Sequence, residues 1–170
     1  MNVDAIFQTL NDEGVDYIVF GGINFLLNHA PILTFDVDIW IADTDKNRDS
    51  LNRALIKMGA EWGPTERDYK AIPIDSAWLT RQNVFCLTSL HGAIDVFRQV
   101  RGHEDKYGEC KRRAFKKKTG GGVPYRSMND VDMLKCQAAL APADQKPERV
   151  KILKEALAKA RNGKKRKSGK

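Results

Sequence analysis

Apolar positions along the chain fall into short segments with either helical or strand spacing. Val3, Ile6, Phe7 and Leu10 recur at helical spacing and predict a first helix over residues 3–10, ended by Gly14. Tyr17-Ile18-Val19-Phe20 reads as a short strand halted by Gly21-Gly22, with a helix over residues 23–28 closing before Pro31. Phe35 to Ile41 alternates as a second strand. Asp43 or Thr44 then caps a helix carrying Leu51, Leu55, Ile56 and Met58, which stops at Gly59. Farther on, Tyr69 to Ile74 reads as an edge strand because of Pro73. Val84–Thr88 and Ala93–Phe97 flank Ser89-Leu90-His91-Gly92 as a hairpin. His103 to Lys118 is expected to be helical, Thr119–Gly122 a loop and Val123–Arg126 extended. Asn129 or Asp130 caps a helix through Ala138, and a last helix runs from Pro147 to about residue 161, ending at Gly163.

The order predicts an α/β (α+β) fold: a mixed β-sheet flanked by helices, with a helical C-terminal portion and no internal repeat. Residues 1–126 form the sheet domain, 127–162 the helical portion packed on it, and 163–170 a basic disordered tail.

The strand Thr34-Phe35-Asp36-Val37-Asp38-Ile39-Trp40-Ile41 carries the strongest chemical signal. Alternation puts Phe35, Val37, Ile39 and Ile41 on one face, read as core, and Asp36, Asp38 and Trp40 on the other. Two carboxylates roughly 7 Å apart on a partly desolvated face repel each other unless a cation offsets them.

Hydrophobic residues make up 42% of the 170 and charged residues 30%, which fits a globular domain. No apolar run approaches the roughly 20 residues of a membrane helix. The start of the chain, with Asp4 and no basic run, lacks a secretory pattern, so a cytoplasmic protein is expected. Cys86, Cys110 and Cys136 form no Cys-x-x-Cys pair and read as reduced thiols. The net charge of +7 concentrates in Lys111–Lys118 and in the tail. The internal run is either a solvated helix face or a surface for phosphates, RNA among them.

Taken in order, a strand, Gly21-Gly22, a helix, the Asp36/Asp38 strand and a later strand with Asp95 resemble the DNA polymerase β-type nucleotidyltransferase superfamily. Tyr17–Gly22 and Thr34–Ile39 are similar to the minimal bacterial group that includes abortive-infection toxins. Lys135-Cys136-Gln137-Ala138-Ala139, after Asp130–Leu134, resembles that group's lysine-bearing helix. The resemblance spans about residues 15–155. It implies a nucleotidyltransferase-like fold and transfer of a nucleoside monophosphate from a nucleoside triphosphate to a hydroxyl. Asp36, Asp38 and Asp95 would be catalytic and hold two Mg²⁺ ions, with Mn²⁺ as a substitute. Gly21, Gly22, Asn24 and Lys135 would bind the nucleotide, the glycines by letting the chain approach phosphates and Asn24 by a side-chain donor.

The chain departs from the pattern at Ile32, where many relatives carry arginine, and at Asp144–Arg149, which keeps charge but not the family's order. Lys135 is either a phosphate or acceptor contact or a helix-surface lysine. Trp40 either stacks on a base or closes the sheet edge, and His91 either orients a site group or belongs to the hairpin turn. Arg98 and Arg101 either reach substrate or decorate a surface, while His29 and His103 are ordinary. The acceptor is an RNA 3′ end, a protein hydroxyl or a small molecule. A cationic antibiotic would want an acidic pocket, for which Glu61, Glu66, Asp68 and Asp75 are available. The competing reading is a non-catalytic nucleotide- or RNA-binding protein, or a toxin–antitoxin partner, on a degenerate version of the fold.

Overall fold

Helix α1 (Val3–Asp12) begins at Asn2, whose side-chain oxygen accepts from the Ala5 amide at 3.1 Å. The computed structural model describes residues 1–167, with all side chains except those of Glu66 and residues 163–167. Ser168-Gly169-Lys170, the end of the expected tail, lie outside the described residues. After α1 come β1 (Tyr17–Val19), α2 (Gly21–Asn28), β2 (Asp36–Ile41) and α3 (Asp45–Lys57), then the short β3 (Glu61–Trp62) and β4 (Lys70–Ala71). The hairpin strands are β5 (Val84–Leu87) and β6 (Ala93–Phe97). They are followed by α4 (Tyr107–Arg113), β7 (Phe115–Lys118), β8 (Pro124–Ser127), α5 (Asp130–Ala138) and α6 (Pro147–Lys167).

Six strands form one sheet in the order β5-β6-β2-β1-β8-β7, and β3 and β4 form a separate pair. The sheet is mixed: β2 runs parallel to β6 and β1 parallel to β8, while the other neighbours are antiparallel. One face buries Val19, Val37, Ile39, Ile41, Ile94 and Val96 against Ile6, Phe7 and Leu10 of α1 and Leu51 and Leu55 of α3. The other buries Ile18, Phe20 and Trp40 against Cys110 of α4, Met133 and Cys136 of α5 and Leu153 of α6. Covering both faces explains why β1 reads as a continuous apolar run.

Several expectations are corrected. Phe35 is 74% exposed rather than core, because pairing begins one residue later, at Asp36 opposite Ala93. Trp40 neither stacks on an open site nor closes an edge. It is fully buried under the C-terminal helices, its indole N–H donating to the Arg98 carbonyl at 3.2 Å. The segment expected to be one helix from His103 to Lys118 breaks at Ala114, whose ψ of 143° is extended. Phe115–Lys118 then pairs with β8 as an edge strand, and its lysines discourage strand addition by another chain. The expected edge strand at Tyr69–Ile74 shrinks to β4, paired with β3. Finally, α6 runs through Gly163 to Lys167, since a lone glycine costs a helix only about 1 kcal/mol.

Candidate active site

Strand register brings the three aspartates together. Asp38 on β2 lies directly opposite Asp95 on the parallel β6, and Asp36 is one pleat earlier on the same face. Each offers a carboxylate oxygen within 4.8 Å of the others. Burial first, and then the charge of Asp36, push the Asp38 carboxyl up to about 7 against the pull of the Gly22 amide; Asp95 adds to the rise and Arg149 opposes it. Asp95 is raised by burial, with a smaller rise from Asp36. Hard oxygen donors that repel one another are a ligand set suited to divalent cations such as Mg²⁺ or Mn²⁺.

The glycine pair builds this site through its closeness to the protein's own side chains. Gly21 has φ of +63°, and a Cβ there would stand 2.0 Å from Asp38 Oδ2. A Cβ on Gly22 would stand 2.5 Å from Thr34 Oγ1. The Gly22 amide donates to Asp38 Oδ2 at 3.1 Å, and Thr34 Oγ1 donates to Asp36 Oδ1 at 3.1 Å, so both carboxylates of β2 are oriented. Gly21→Ala is expected to lower stability by at least about 2 kcal/mol in urea unfolding, through left-handed strain and the clash. It should also displace Asp38 and weaken Mg²⁺ binding measured by titration calorimetry.

Other expected site residues stand elsewhere. Asn24 is buried and turned toward the sheet: its amide nitrogen donates to the Met128 carbonyl at 3.1 Å, and its oxygen accepts from Ser127 Oγ at 2.8 Å. Its side chain ties α2 to the end of β8 instead of facing phosphates, and its backbone amide closes onto the Phe20 carbonyl at 3.4 Å. Asn24→Ala is expected to cost about 2 kcal/mol in denaturant unfolding, because it leaves buried partners unpaired. Lys135 projects from α5 with its ammonium 4.0 Å from Asp132 and is more than half exposed. His91 sits in the β5–β6 turn, and Arg98 is held by Asp43 at 2.8 Å and by the Thr80 carbonyl at 2.9 Å.

Two neighbours of the site escaped sequence reasoning. Cys86 on β5 lies opposite Asp95 and hydrogen-bonds its carboxylate; desolvation and then that charge push the thiol up to about 11. The hairpin register was the signal for it. The other is Arg149 of α6, whose Nη2 lies 3.7 Å from where a Cβ on Gly22 would stand.

A second cluster, His103, Cys110 and Asp132, also brings potential ligands together. It already contains its cation. Burial alone would raise Asp132, yet Arg113, donating at 3.1 Å to each carboxylate oxygen, and Asn129 hold it below its ordinary range. His103 spends its ring nitrogens on the Asp132 carbonyl and the Cys110 sulfur. This cluster is structural. The Asp36–Asp38–Asp95 group lacks such a partner in ion-pair contact among the described residues.

The middle segment does not assemble an acidic pocket among the described side chains. Asp75 accepts from the Ala77 amide to cap a 3-10 turn, Asp68 bonds Thr65, and the side chain of Glu66 lies outside the described set.

No family model and no curated protein matches the chain. Among solved structures, it is similar to a provisionally assigned nucleotidyltransferase from Thermotoga maritima, at 14% identity and a TM-score of 0.36 over 76% of this chain. The chain spans 65% of that protein's length, and the likeness is too loose to carry an argument. It is also similar to the antibiotic-resistance factor ANT(2'')-Ia, at 11% identity and a TM-score of 0.50, covering 98% of this chain and 95% of that one. With the mixed sheet and its flanking helices, this second likeness establishes a nucleotidyltransferase-like fold for the chain.

Proposed function

We propose that this protein is a metal-dependent nucleotidyltransferase that moves a nucleoside monophosphate from a nucleoside triphosphate to an acceptor hydroxyl. One observation carries the reading: three carboxylates converge on one sheet face with no cation in ion-pair contact among the described residues, and two sit above their ordinary range. A fold that had lost catalysis would have little reason to keep this costly cluster.

Divalent ions held by Asp36, Asp38 and Asp95, two Mg²⁺ by preference, would neutralise phosphate charge and align the groups for in-line displacement. The acceptor oxygen bonds to the α-phosphorus, the bond to the bridging oxygen breaks, and pyrophosphate leaves with that electron pair. Asp95, whose carboxyl is raised by burial, would take the hydroxyl proton on a carboxylate oxygen. Gly22 and Thr34 keep Asp38 and Asp36 from rotating away.

For the acceptor, an RNA end is favoured over a cationic small molecule. Lys116 stands directly across from Arg126 on the β7–β8 edge, a like-charge pair that an external anion such as a phosphate backbone would relieve. The sheet domain of residues 1–126 would supply the chemistry, with the helical portion of 127–162 packed on it, in a cytoplasmic protein of the minimal bacterial group's kind.

The test incubates the protein with each α-labelled triphosphate, Mg²⁺ or Mn²⁺, and total RNA or cell extract. Label transferred to RNA is the expected result, and label on protein or a small molecule would reassign the acceptor. No transfer, together with triphosphate binding that is indifferent to metal, would overturn the reading and leave a non-catalytic binding protein.

A further inference from the structure

α6 carries Arg149 to the glycine turn at the opening of α2. Its Nη2 lies 3.7 Å from where a Cβ on Gly22 would stand, and Gly22 in turn donates to Asp38. The guanidinium sits over the Phe25 ring, 5.9 Å from the centroid, and is only partly exposed. Among the described residues it has no carboxylate at ion-pair distance. Arg48 and Arg98, also half-buried, are held by Asp43, whereas half-buried Arg126 stands on β8 opposite Lys116, at the far edge of the sheet from β6. Beside Arg149 opens a groove of about 290 Å³ between α2 and α6, lined also by Phe25, Ile32, Lys146, Glu148 and Ile152.

We propose that Arg149, with Lys146 at the groove's rim, binds the β- and γ-phosphates of the triphosphate and then the departing pyrophosphate. The inference rests on the nucleotidyl-transfer reading and gives its phosphate tail a location. A triphosphate brings roughly four negative charges, and two divalent ions set against three carboxylates leave about one positive charge to meet them. A further cation is therefore needed at the end of the triphosphate away from the α-phosphorus. Arg149 has the chemistry for it: a permanently charged planar fork that can engage two phosphate oxygens at once. Packing against Phe25 restricts its rotamers, so less freedom is lost on binding. Ile32 lines the groove without charge, and Lys146 and Arg149 outnumber the groove's one acidic residue, Glu148.

The position of Arg149 on α6 also links substrate to the packing of the C-terminal portion. A phosphate tail bridging Arg149 and the α2 turn would tie α6 to the sheet domain at the site itself.

Inorganic tripolyphosphate and pyrophosphate test this without knowledge of the preferred base. Calorimetric titration with and without Mg²⁺ should show Arg149→Ala binding tripolyphosphate about tenfold more weakly or worse, with Mg²⁺ affinity within about twofold of wild type. Arg149→Lys should recover part of the loss, since it restores charge but not the fork. If Arg149→Ala lowers the thermal midpoint while tripolyphosphate affinity stays at the wild-type value, the arginine merely holds α6 against Phe25 and the proposal is wrong. If the wild type binds neither tripolyphosphate nor any of the four nucleoside triphosphates, the nucleotidyl-transfer reading fails along with it.

Discussion

Asp36→Asn and Asp38→Asn should each reduce nucleotide transfer by about 10³-fold or more while the protein stays folded. The size of the loss follows from what the two side chains share. They sit one pleat apart on β2, and Asp95 stands across from Asp38 on β6, so the three carboxylates surround one small volume. An asparagine keeps the shape and the hydrogen bond from Gly22 or Thr34 but removes the charge on which tight divalent binding depends. Loss of a single preorganised electrostatic contact to a transition state typically costs about 10²–10³-fold, and here the same change also removes a metal ligand. Initial rates with an α-labelled triphosphate, normalised to the folded fraction from circular dichroism, measure the effect. Transfer by either variant within about tenfold of wild type would separate the chemistry from this cluster.

The features that lead to this expectation differ in how far the sequence exposes them. β2 is legible because its alternation is strict, and parity alone puts Asp36, Asp38 and Trp40 on one face. Parity does not say that this face is covered. Trp40 is buried by Cys110, Met133 and Leu153, residues 70 to 113 positions away, whose packing no local pattern encodes. Asp95 is found because apolar neighbours frame it in a strand, yet its partnership with Asp38 depends on a parallel pairing made across α3. Phe115–Lys118 was hidden by its own charge, since four exposed positions on an edge strand show no apolar period. Lys135 and Arg149 illustrate the same limit. Both are cations on C-terminal helices, but Arg149 reaches the glycine turn while Lys135 stands 4.0 Å from Asp132. The family resemblance drew attention to Lys135, whereas the place of Arg149 beside Gly22 is set by tertiary packing.

The same carboxylates should make metal-free stability fall as pH rises from about 4 to about 7. In the unfolded chain Asp38 titrates near its ordinary value of about 3.9, whereas in the folded protein it is pushed up to about 7. Between those values the folded state holds a proton that the unfolded state has released, so unfolding gains ground with each increment of pH. The contribution is fully favourable below about pH 4, is lost progressively to about pH 7, and is flat above. A shift of this size corresponds to about 2 to 4 kcal/mol once partial solvent access is allowed for. Asp132 and Asp43 act in the opposite sense, because arginines hold both below their ordinary range. Their stability is present above the unfolded value and is lost as pH falls, which would blur the curve of wild type alone. The informative quantity is therefore the difference between wild type and Asp38→Asn in chelator. The variant should be the more stable at pH 8, with a thermal midpoint higher by about 5 to 10 °C, and the gap should close by pH 4. Mg²⁺ reverses the order: it favours the ionised carboxylates, so its binding displaces a proton below about pH 7 and raises the wild-type midpoint more at pH 8 than at pH 5. A wild type and variant with the same midpoint at both pH values would mean that Asp38 is not held in its costly ionised form at all.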